Sequence, residues 1–353
     1  MKILSIDTSC DETSVAITEG RKVLSHIEYS QILTHKEWGG VVPSLAKRAH
    51  EERIEWVVLH TLQRAFGKSK NTLDTAIQEV DAIAVTYGPG LAIALEVGIN
   101  TAKNLSVHYQ KPLIAVNHME GHIYSCFVQN SKGNPVREFD FPYLALLISG
   151  GHTELVLFKS YFDYEIIGQT VDDAAGEAID KAARMLGFNY PGGPVLERLA
   201  EQAGNLDFHN FPRPMKKSQD LNFSFSGLKT SFYNYTNKMN KNDSVNSPDK
   251  LSSSFQEAVF GSILIKTEQA IQTHRIHRLV VGGGVIANKY LRKRLRQLVK
   301  PYKGEVLFPP YRYLTGDNAS MIGVVASIKA SRGMFIKDIH ELDRSPRLSL
   351  GSG

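Results

Sequence analysis

The chain reads as an internally duplicated α/β protein of two lobes. Three features of the sequence carry that reading. Its 353 residues are enough for about two domains of ordinary size. Short apolar strands alternate with amphipathic helical runs, the pattern of strands joined by crossover helices. One local pattern also occurs twice: an apolar strand, a small polar turn containing Ser, then a Thr-led apolar strand. It stands at Lys2–Thr18 and again at Tyr143–Phe158.

Lys2–Thr8 and Ser14–Thr18 read as strands joined by the turn Ser9-Cys10-Asp11-Glu12-Thr13, and Val23–Tyr29 as a third strand. Gly39-Gly40-Val41-Val42-Pro43 breaks the chain. Ser44 then opens a long amphipathic helix with Ile54, Val58, Leu62 and Ala65 on one stripe. Ala82–Thr86 is a strand, Gly88-Pro89-Gly90 a turn, Ala92–Val107 a helix and Pro112–Val116 the next strand. This β-α-β order predicts a parallel pair with a right-handed crossover. Asn117 is placed to cap a helix running into the apolar stretch Ile123–Val128.

The second cycle starts near Phe141. Tyr143–Ile148 and Thr153–Phe158 form a hairpin around Ser149-Gly150-Gly151-His152. Val171–Leu186 reads as a helix stopped by Gly187. A helix follows the rigid turn Pro191-Gly192-Gly193-Pro194. Phe211–Thr230 is loop-rich, and Asn237–Lys250 is polar and reads as a mobile loop. Leu251–Thr273 is helical, and Arg278–Val281 is a strand entering Gly282-Gly283-Gly284. A basic helix begins near Asn288, Glu305–Phe308 is a strand, and Asp317–Lys329 begins the last long helix. The expected division is a first lobe over 1–140, to which the C-terminal helix crosses back, a second lobe over 141–343, and a loose tail over 344–353.

A hydrophobic share of 42% and a charged share of 22% describe a globular chain, and no apolar run nears the roughly 18 residues of a membrane span. The early acid Asp7 argues against a secretory signal. Cys10 and Cys126 have no disulfide-framework or metal-finger spacing, which suits a reducing cytoplasm. The expectation is a cytoplasmic protein without a membrane partner. A net charge of +5 permits a nucleic-acid partner without requiring one.

His118 and His122 fall one turn apart on one helix face. They can share a metal ion with a third ligand from elsewhere, or stand as two partly buried histidines bonded to neighbours. Asp317, after Thr315-Gly316, reads first as a helix N-cap and second as that third ligand. Four turns follow apolar strands directly: Ser9–Thr13, Gly88–Gly90, Ser149–His152 and Gly282–Gly284. Their backbone N–H groups suit phosphate, and together they indicate a nucleotide site. None is a G-x-x-x-x-G-K-[ST] loop and no strand-turn-helix carries G-x-G-x-x-G, so a P-loop and a Rossmann dinucleotide site are set aside. Asp11 and Glu12 at a hairpin tip are either a solvated turn or a carboxylate pair for proton transfer. Asp173, Glu177 and Asp180 share a helix face; Glu177 can pair with Lys181, while Asp180 lies too deep to serve the helix dipole and could accept from a ribose diol. Basic residues gather at Lys216-Lys217 and at Arg292-Lys293-Arg294-Arg296, as solvated surface or as contacts to RNA phosphate.

These residues fall in a familiar arrangement. From Ile3-Leu4-Ser5-Ile6-Asp7-Thr8-Ser9-Cys10-Asp11-Glu12 to Gly316-Asp317-Asn318-Ala319 the chain resembles the TsaD (Gcp) family, the bacterial tRNA N6-adenosine threonylcarbamoyltransferases. Asn117-His118-Met119-Glu120-Gly121-His122, Ser149-Gly150-Gly151-His152-Thr153, Asp172-Asp173-Ala174-Ala175-Gly176-Glu177 and Phe223-Ser224-Phe225-Ser226-Gly227-Leu228-Lys229 carry the likeness between those ends. The resemblance implies a duplicated actin/Hsp70/sugar-kinase-like (ASKHA) fold with two lobes around a nucleotide cleft. It implies one divalent metal, Fe2+ first and Zn2+ second, on His118, His122 and Asp317. It implies that threonylcarbamoyl-AMP lies along Leu147, Ile148, Ser149, Gly150 and Gly151, with Asp180, Gly193, Glu197 and Asn288 at its ribose and adenine. Asp11 or Glu12 is the candidate for moving the proton. The implied reaction is transfer of the threonylcarbamoyl group to N6 of adenosine 37 in tRNA, with release of AMP. Implied partners are a TsaB-like pseudo-paralogue and a TsaE-like ATPase. The chain departs from the family at Leu91–Val97, where Glu96 replaces a Gly-rich run near the TsaB-like contact. Two other readings compete: a nucleotide-binding module without transfer chemistry, and a metallopeptidase. The latter suffers because the spacing is H-x-E-x-H and not H-E-x-x-H.

Overall fold

A computed structural model describes residues 1–67, 72–239 and 243–351. It divides into two compact units, Met1–Phe139 with Pro309–Gly353, and Asp140–Phe308.

In the first unit the chain runs β1 (Lys2–Asp7), β2 (Glu12–Glu19), β3 (Lys22–Ser30), α1 (Ile32–Lys36), α2 (Pro43–Phe66), α3 (Leu73–Ala76), β4 (Ala82–Gly88), α4 (Ala92–Tyr109), β5 (Leu113–Asn117) and α5 (His118–Tyr124). The sheet order is β3-β2-β1-β4-β5. β1 pairs antiparallel with β2 and parallel with β4, and β4 pairs parallel with β5, as a crossover helix requires. Leu4, Ile6, Val15, Ile17 and Val85 point to one face and pack on Ile54, Val58 and Leu62 of α2 and Leu95 and Ala102 of α4. Pro43 sits at the first turn of α2, where its missing N–H removes no hydrogen bond.

The second unit continues with β6 (Tyr143–Ile148), β7 (Thr153–Ser160), β8 (Asp163–Gln169), α6 (Ala175–Met185), α7 (Gly192–Gln202), α8 (Ser226–Lys238), α9 (Pro248–His274), β9 (Arg278–Gly282), α10 (Lys289–Val299) and β10 (Glu305–Leu307). Its sheet order, β10-β9-β6-β7-β8, reproduces the first sheet strand for strand, with the same parallel and antiparallel pairings. The repeated hairpin in the sequence is therefore the visible part of a repeated five-stranded sheet.

Several boundaries differ from the sequence expectation. β8 was not anticipated, because its seven residues alternate between polar and weakly apolar positions at a sheet edge. The helix expected from Val171 starts at Ala175. The Asp172 carboxylate accepts hydrogen bonds from the backbone N–H groups of Phe225 and Ser226 and from the Ser224 and Ser226 hydroxyls, which holds 171–174 out of helical geometry. Those same bonds satisfy the start of α8, so the stretch expected to stay loop to Thr230 turns helical at Ser226. Asn237 and Lys238 finish α8 and Pro248 opens α9; residues 240–242 of the expected polar loop lie outside the described residues.

The last helix, α11 (Ala319–Ser331), belongs to the first unit, so the second unit ends at Phe308 and not near residue 343. Asn318 caps it, accepting from the Met321 N–H at 3.0 Å, so Asp317 is not the cap. Ser14 Oγ accepts from the Ala319 N–H at 2.9 Å and Ser5 Oγ donates to the Ala319 carbonyl at 2.7 Å, which ties the helix start to β1 and β2. The expected loose tail is also held. Ser345 N–H donates to the Tyr87 carbonyl at 2.7 Å, Asn117 Nδ2 to the Ser349 carbonyl at 3.0 Å, and Arg344 pairs with Glu96 at 3.1 Å. Among the described residues no helix is long and apolar enough to cross a membrane.

Two tests follow from this packing. A Cβ at Gly323 would lie 2.5 Å from Thr18 Oγ1 and 2.9 Å from Ser5 Oγ. Gly323→Ala is expected to lift α11 from β1–β2 and cost about 1–3 kcal/mol of stability, read by urea unfolding. Glu154 on β7 is buried with an unpartnered Oε2, and burial pushes its carboxyl up to about 7. The folded state then binds the proton more tightly than the unfolded chain, so this residue's contribution to stability falls as pH rises between about 4.5 and 7. Glu154→Gln should raise the unfolding midpoint at pH 8, by an amount on the order of 3 kcal/mol, and far less at pH 4.5.

Candidate functional site

The first group of interest stands where β5 runs into α5. Asn117 Oδ1 accepts from the Met119 N–H at 2.8 Å, the N-cap expected from the sequence. Every residue of α5 is buried, because α11 packs along it. His118 and His122 meet edge to face with ring centroids 4.6 Å apart. Asp317 Oδ1 lies 3.2 Å from His118 Nε2 and 3.3 Å from His122 Nε2. One ligand atom from each residue falls within 4.8 Å of the other two, and among the described residues no other set of His, Cys, Asp or Glu converges this way.

This triangle fits a metal ion. Both nitrogens of His122 and Nδ1 of His118 are buried without a hydrogen-bond partner, an arrangement that costs free energy unless something else satisfies them. Asp7 Oδ2, likewise unpartnered, lies 3.4 Å from His118 Nδ1, where an outer carboxylate orients a metal-binding imidazole. The charges agree. Burial works against a charged imidazole at His118, yet the Asp317 and Asp7 carboxylates override it and hold this residue up at about 10. His122 is lowered by burial and by His118, and Asp317 is held well below the usual carboxylate range by the two imidazoles despite its own burial. The cluster therefore draws positive charge to itself. Two His nitrogens and one carboxylate leave coordination positions open.

Asp11 and Glu12 sit beside it, at the turn between β1 and β2. Asp11 is buried with Oδ2 unpartnered. Glu12 is raised well above the usual range by burial, then by the Asp11 and Asp317 charges. His50 props the turn through a 3.0 Å bond to the Cys10 carbonyl and a 2.7 Å bond to Thr13 Oγ1. Sequence reasoning missed Asp7 and Glu28. Glu28 on β3 is pushed up to about 7 by burial and by the Asp317, Asp7 and Asp11 charges. Asp7 was legible in principle, as an acid at the C-terminal end of a buried strand.

The second unit holds a separate cavity of about 250 Å³. Gly150, Asp180, Gly193, Glu197 and Asn288 line it, over an apolar floor that includes Ile179, Leu196 and Phe260. Gly176 lets the start of α6 abut the Ser149–Gly151 turn, since a Cβ there would lie 2.5 Å from the Ser149 carbonyl oxygen. The result is a helix N-terminus beside a glycine turn, a geometry suited to phosphate. Asp180 Oδ1 accepts from Gly192 and Gly193 N–H at 2.7 and 3.2 Å, which fixes the Pro191–Pro194 wall. Glu197 Oε1 accepts from the Lys289 N–H at 2.7 Å. Asn288 caps α10 through Oδ1 and donates through Nδ2 to Gln256 Oε1 at 2.9 Å, so both ends of its amide serve the fold. Leu147 and Ile148 are fully buried strand residues and do not line the cavity, nor do Ser149 and Gly151. Gln256 and Phe260 on α9 were missed, because on a long buried helix they look like core.

The family model described as "TsaD: tRNA N6-adenosine threonylcarbamoyltransferase" matches residues 22–324. Proteins named tRNA N6-adenosine threonylcarbamoyltransferase from Kosmotoga olearia and Thermosipho africanus are 44% and 43% identical to this chain. The alignments cover 95% of this chain and 95% of the first relative, and 99% and 100% for the second. Among solved structures, full-length HypF in its phosphate- and nucleotide-bound form is similar at a TM-score of 0.60 and 14% identity, over 95% of this chain and 56% of HypF. The activator of 2-hydroxyisocaproyl-CoA dehydratase from Clostridium difficile is similar at 0.51 and 11% identity, over 94% and 97%. These distant likenesses bear on fold alone, and with the repeated sheet they give the actin/Hsp70/sugar-kinase-like architecture.

If Asp7 orients the metal-binding ring, Asp7→Asn should weaken metal affinity by about 10–100-fold while leaving secondary structure unchanged. Chelator competition followed by circular dichroism reads both outcomes.

Proposed function

Because the chain belongs to the TsaD family of tRNA N6-adenosine threonylcarbamoyltransferases, we propose that it transfers the threonylcarbamoyl group of threonylcarbamoyl-AMP to N6 of adenosine 37 in tRNAs reading ANN codons. The bond from the carbamoyl carbon to the adenylate phosphate breaks, the bond to N6 forms, and AMP leaves with one proton released. The observation that carries the reading is the convergence of His118, His122 and Asp317, in a chain whose relatives of that name match it almost end to end.

The roles divide by unit. In the second, Gly150 and the start of α6 offer backbone N–H groups to the adenylate phosphate, while Asp180, Gly193, Glu197 and Asn288 shape the wall for ribose and adenine. Leu147 and Ile148 lead into that turn from the end of β6, and Ser149 and Gly151 flank Gly150 within it, closed by the Ser149 N–H donating to the His152 carbonyl. In the first, His118, His122 and Asp317 would hold the divalent ion, Fe2+ first and Zn2+ second, which when bound supplies Lewis-acid polarisation of the carbamoyl carbonyl. Asp11 or Glu12 takes up the proton released from N6. A cation held by Asp317 would cancel that carboxylate's share of the upward push on Glu12 and bring it closer to ionisation. Proposed partners are tRNA, a TsaB-like pseudo-paralogue and a TsaE-like ATPase. Glu96, the departure near the expected TsaB-like contact, is held by Lys47 at 3.8 Å and Arg344 at 3.1 Å.

The peptidase reading loses ground on Glu120, which is buried and paired with Lys329 at 2.9 Å. A carboxylate committed to a cation is poorly placed to serve as a general base. A nucleotide-binding module without chemistry has no use for the imidazole pair.

His118→Ala should lose the metal and at least ~100-fold of transfer activity while keeping the fold. Metal analysis beside nucleoside mass spectrometry of the tRNA product reads this, and a fully active metal-free variant overturns the proposal.

A further inference from the structure

We infer that an exposed cationic stripe on the second unit, Lys289, Lys293, Arg296 and Lys300, is a docking surface for the phosphate backbone of the tRNA; this rests on the transferase reading above. The four residues follow the spacing i, i+4, i+7 and i+11 along α10 and the turn after it, which places them on one face. All four are exposed. Among the described residues none of the four has an ion-pair partner, whereas Arg294 on the same helix is tied to Glu257 at 2.9 Å. The helix has no acid of its own.

A charged helix face is most often merely solvated, and three observations argue beyond that. First, the stripe begins at the rim of the nucleotide cavity, since Asn288 lines the cavity and Lys289 follows it. It then runs away from the rim for ~16 Å at the helical rise. An acceptor nucleotide meeting a donor in that cavity brings its backbone along the rim. Second, one cation of the stripe, Arg296, is held in place. The Arg296 guanidinium lies 4.8 Å from the Phe308 ring centroid and that of Arg292 lies 4.6 Å from the same ring, so a cation is presented at reduced entropic cost. Third, the depression at the rim end of the stripe carries carboxylates. Glu197 takes the Lys289 backbone N–H, and Glu201 with Glu197 borders a shallow depression that Lys289, Tyr290 and Lys293 complete. Arg296 and Lys300 lie beyond that depression, and every charge on α10 and the turn after it is positive, which suits a polyanion that extends beyond the reacting base.

The test uses the full metal-loaded chain and an unmodified tRNA transcript, with threonylcarbamoyl-AMP and the two proposed protein partners added for the transfer assay. The K293E/R296E/K300E variant should bind tRNA on the order of 30-fold more weakly at moderate salt, and its plot of log affinity against log salt should flatten by ~2–3. The apparent KM for tRNA should rise by about tenfold with turnover at saturating tRNA and AMP binding unchanged. The milder K293Q/R296Q/K300Q variant should shift the same quantities by less. Unchanged affinity and salt slope in both variants overturn the inference while leaving the transferase reading intact. A wild-type chain that binds tRNA yet performs no transfer with threonylcarbamoyl-AMP and both proposed protein partners supplied sinks that reading and leaves the docking measurement meaningful. A wild type that does not bind tRNA overturns both.

Discussion

The structure depends on how closely α11 lies against β1, β2 and α5. Asp317 and the histidine pair are separated by almost two hundred residues of chain, and they meet only because α11 returns to the first unit. The contact surface is made for that approach. Ser5, Ser14 and Thr18 present small polar side chains where a core strand would ordinarily carry Val or Leu, and Gly323 meets them with no side chain at all. Gly121 does the same on α5: a Cβ there would lie 2.9 Å from side-chain atoms of both Met321 and Ile322. Across this seam Lys329 pairs with Glu120 at 2.9 Å. Breaking a buried pair by removing one partner costs about 3–5 kcal/mol, far more than the single hydrogen bonds from Ser5 and Ser14, at roughly 1 kcal/mol each. Removing one partner would therefore disturb the seam between the two ligand-bearing segments more than losing either serine bond.

The duplication gives one chain two equivalent hairpin tips of unlike chemistry. Both sheets have the same strand order and both open with an antiparallel hairpin. The tips differ in chemistry. The first carries Asp11 and Glu12 near Asp7 and Asp317, so like charges crowd together and raise Glu12 and Glu28. Such a tip repels phosphate and attracts a cation. The second carries Gly150 and Gly151, with open space where a side chain would stand, and the N-terminus of α6 beside it. Such a tip presents N–H groups and attracts an anion. One framework thus carries opposite polarity at equivalent turns, which under the proposed function suits a cation in one unit and an anion in the other.

Features set by local chemistry were legible in the sequence; those set by distant partners were not. The hairpins, the crossover order, the Asn117 cap and the helical spacing of His118 and His122 follow from short-range rules. Asp317 was ambiguous because Asp and Asn both cap helices; the structure gives that task to Asn318 and leaves Asp317 beside the imidazoles. Asp172 matches a helix-start acid, yet its carboxylate serves α8 from fifty residues away, which shortened one helix and revealed another. The tail looked loose because its sequence is polar, but it satisfies the Tyr87 carbonyl and lends a carbonyl to Asn117. Backbone groups give no sign in a sequence that they need a partner.

The cavity's polar side chains sharpen this point. Asn288 spends its oxygen on the first turn of α10 and its amide on Gln256, while one Asp180 oxygen is occupied by two backbone N–H groups. A residue whose hydrogen bonds are already made inside the protein adds rigidity more than new bonds to a ligand. Under the proposed function, recognition in that cavity would rest on a wall already held in shape, with backbone N–H groups at the Gly150 turn and apolar floor residues such as Leu196 and Phe260 making the contact. Preorganisation of this kind lowers the ordering cost of binding, and it ties the shape of the cavity to the capping of α10. Loss of the Asn288 cap would loosen the cavity wall and the first turn of the basic helix together.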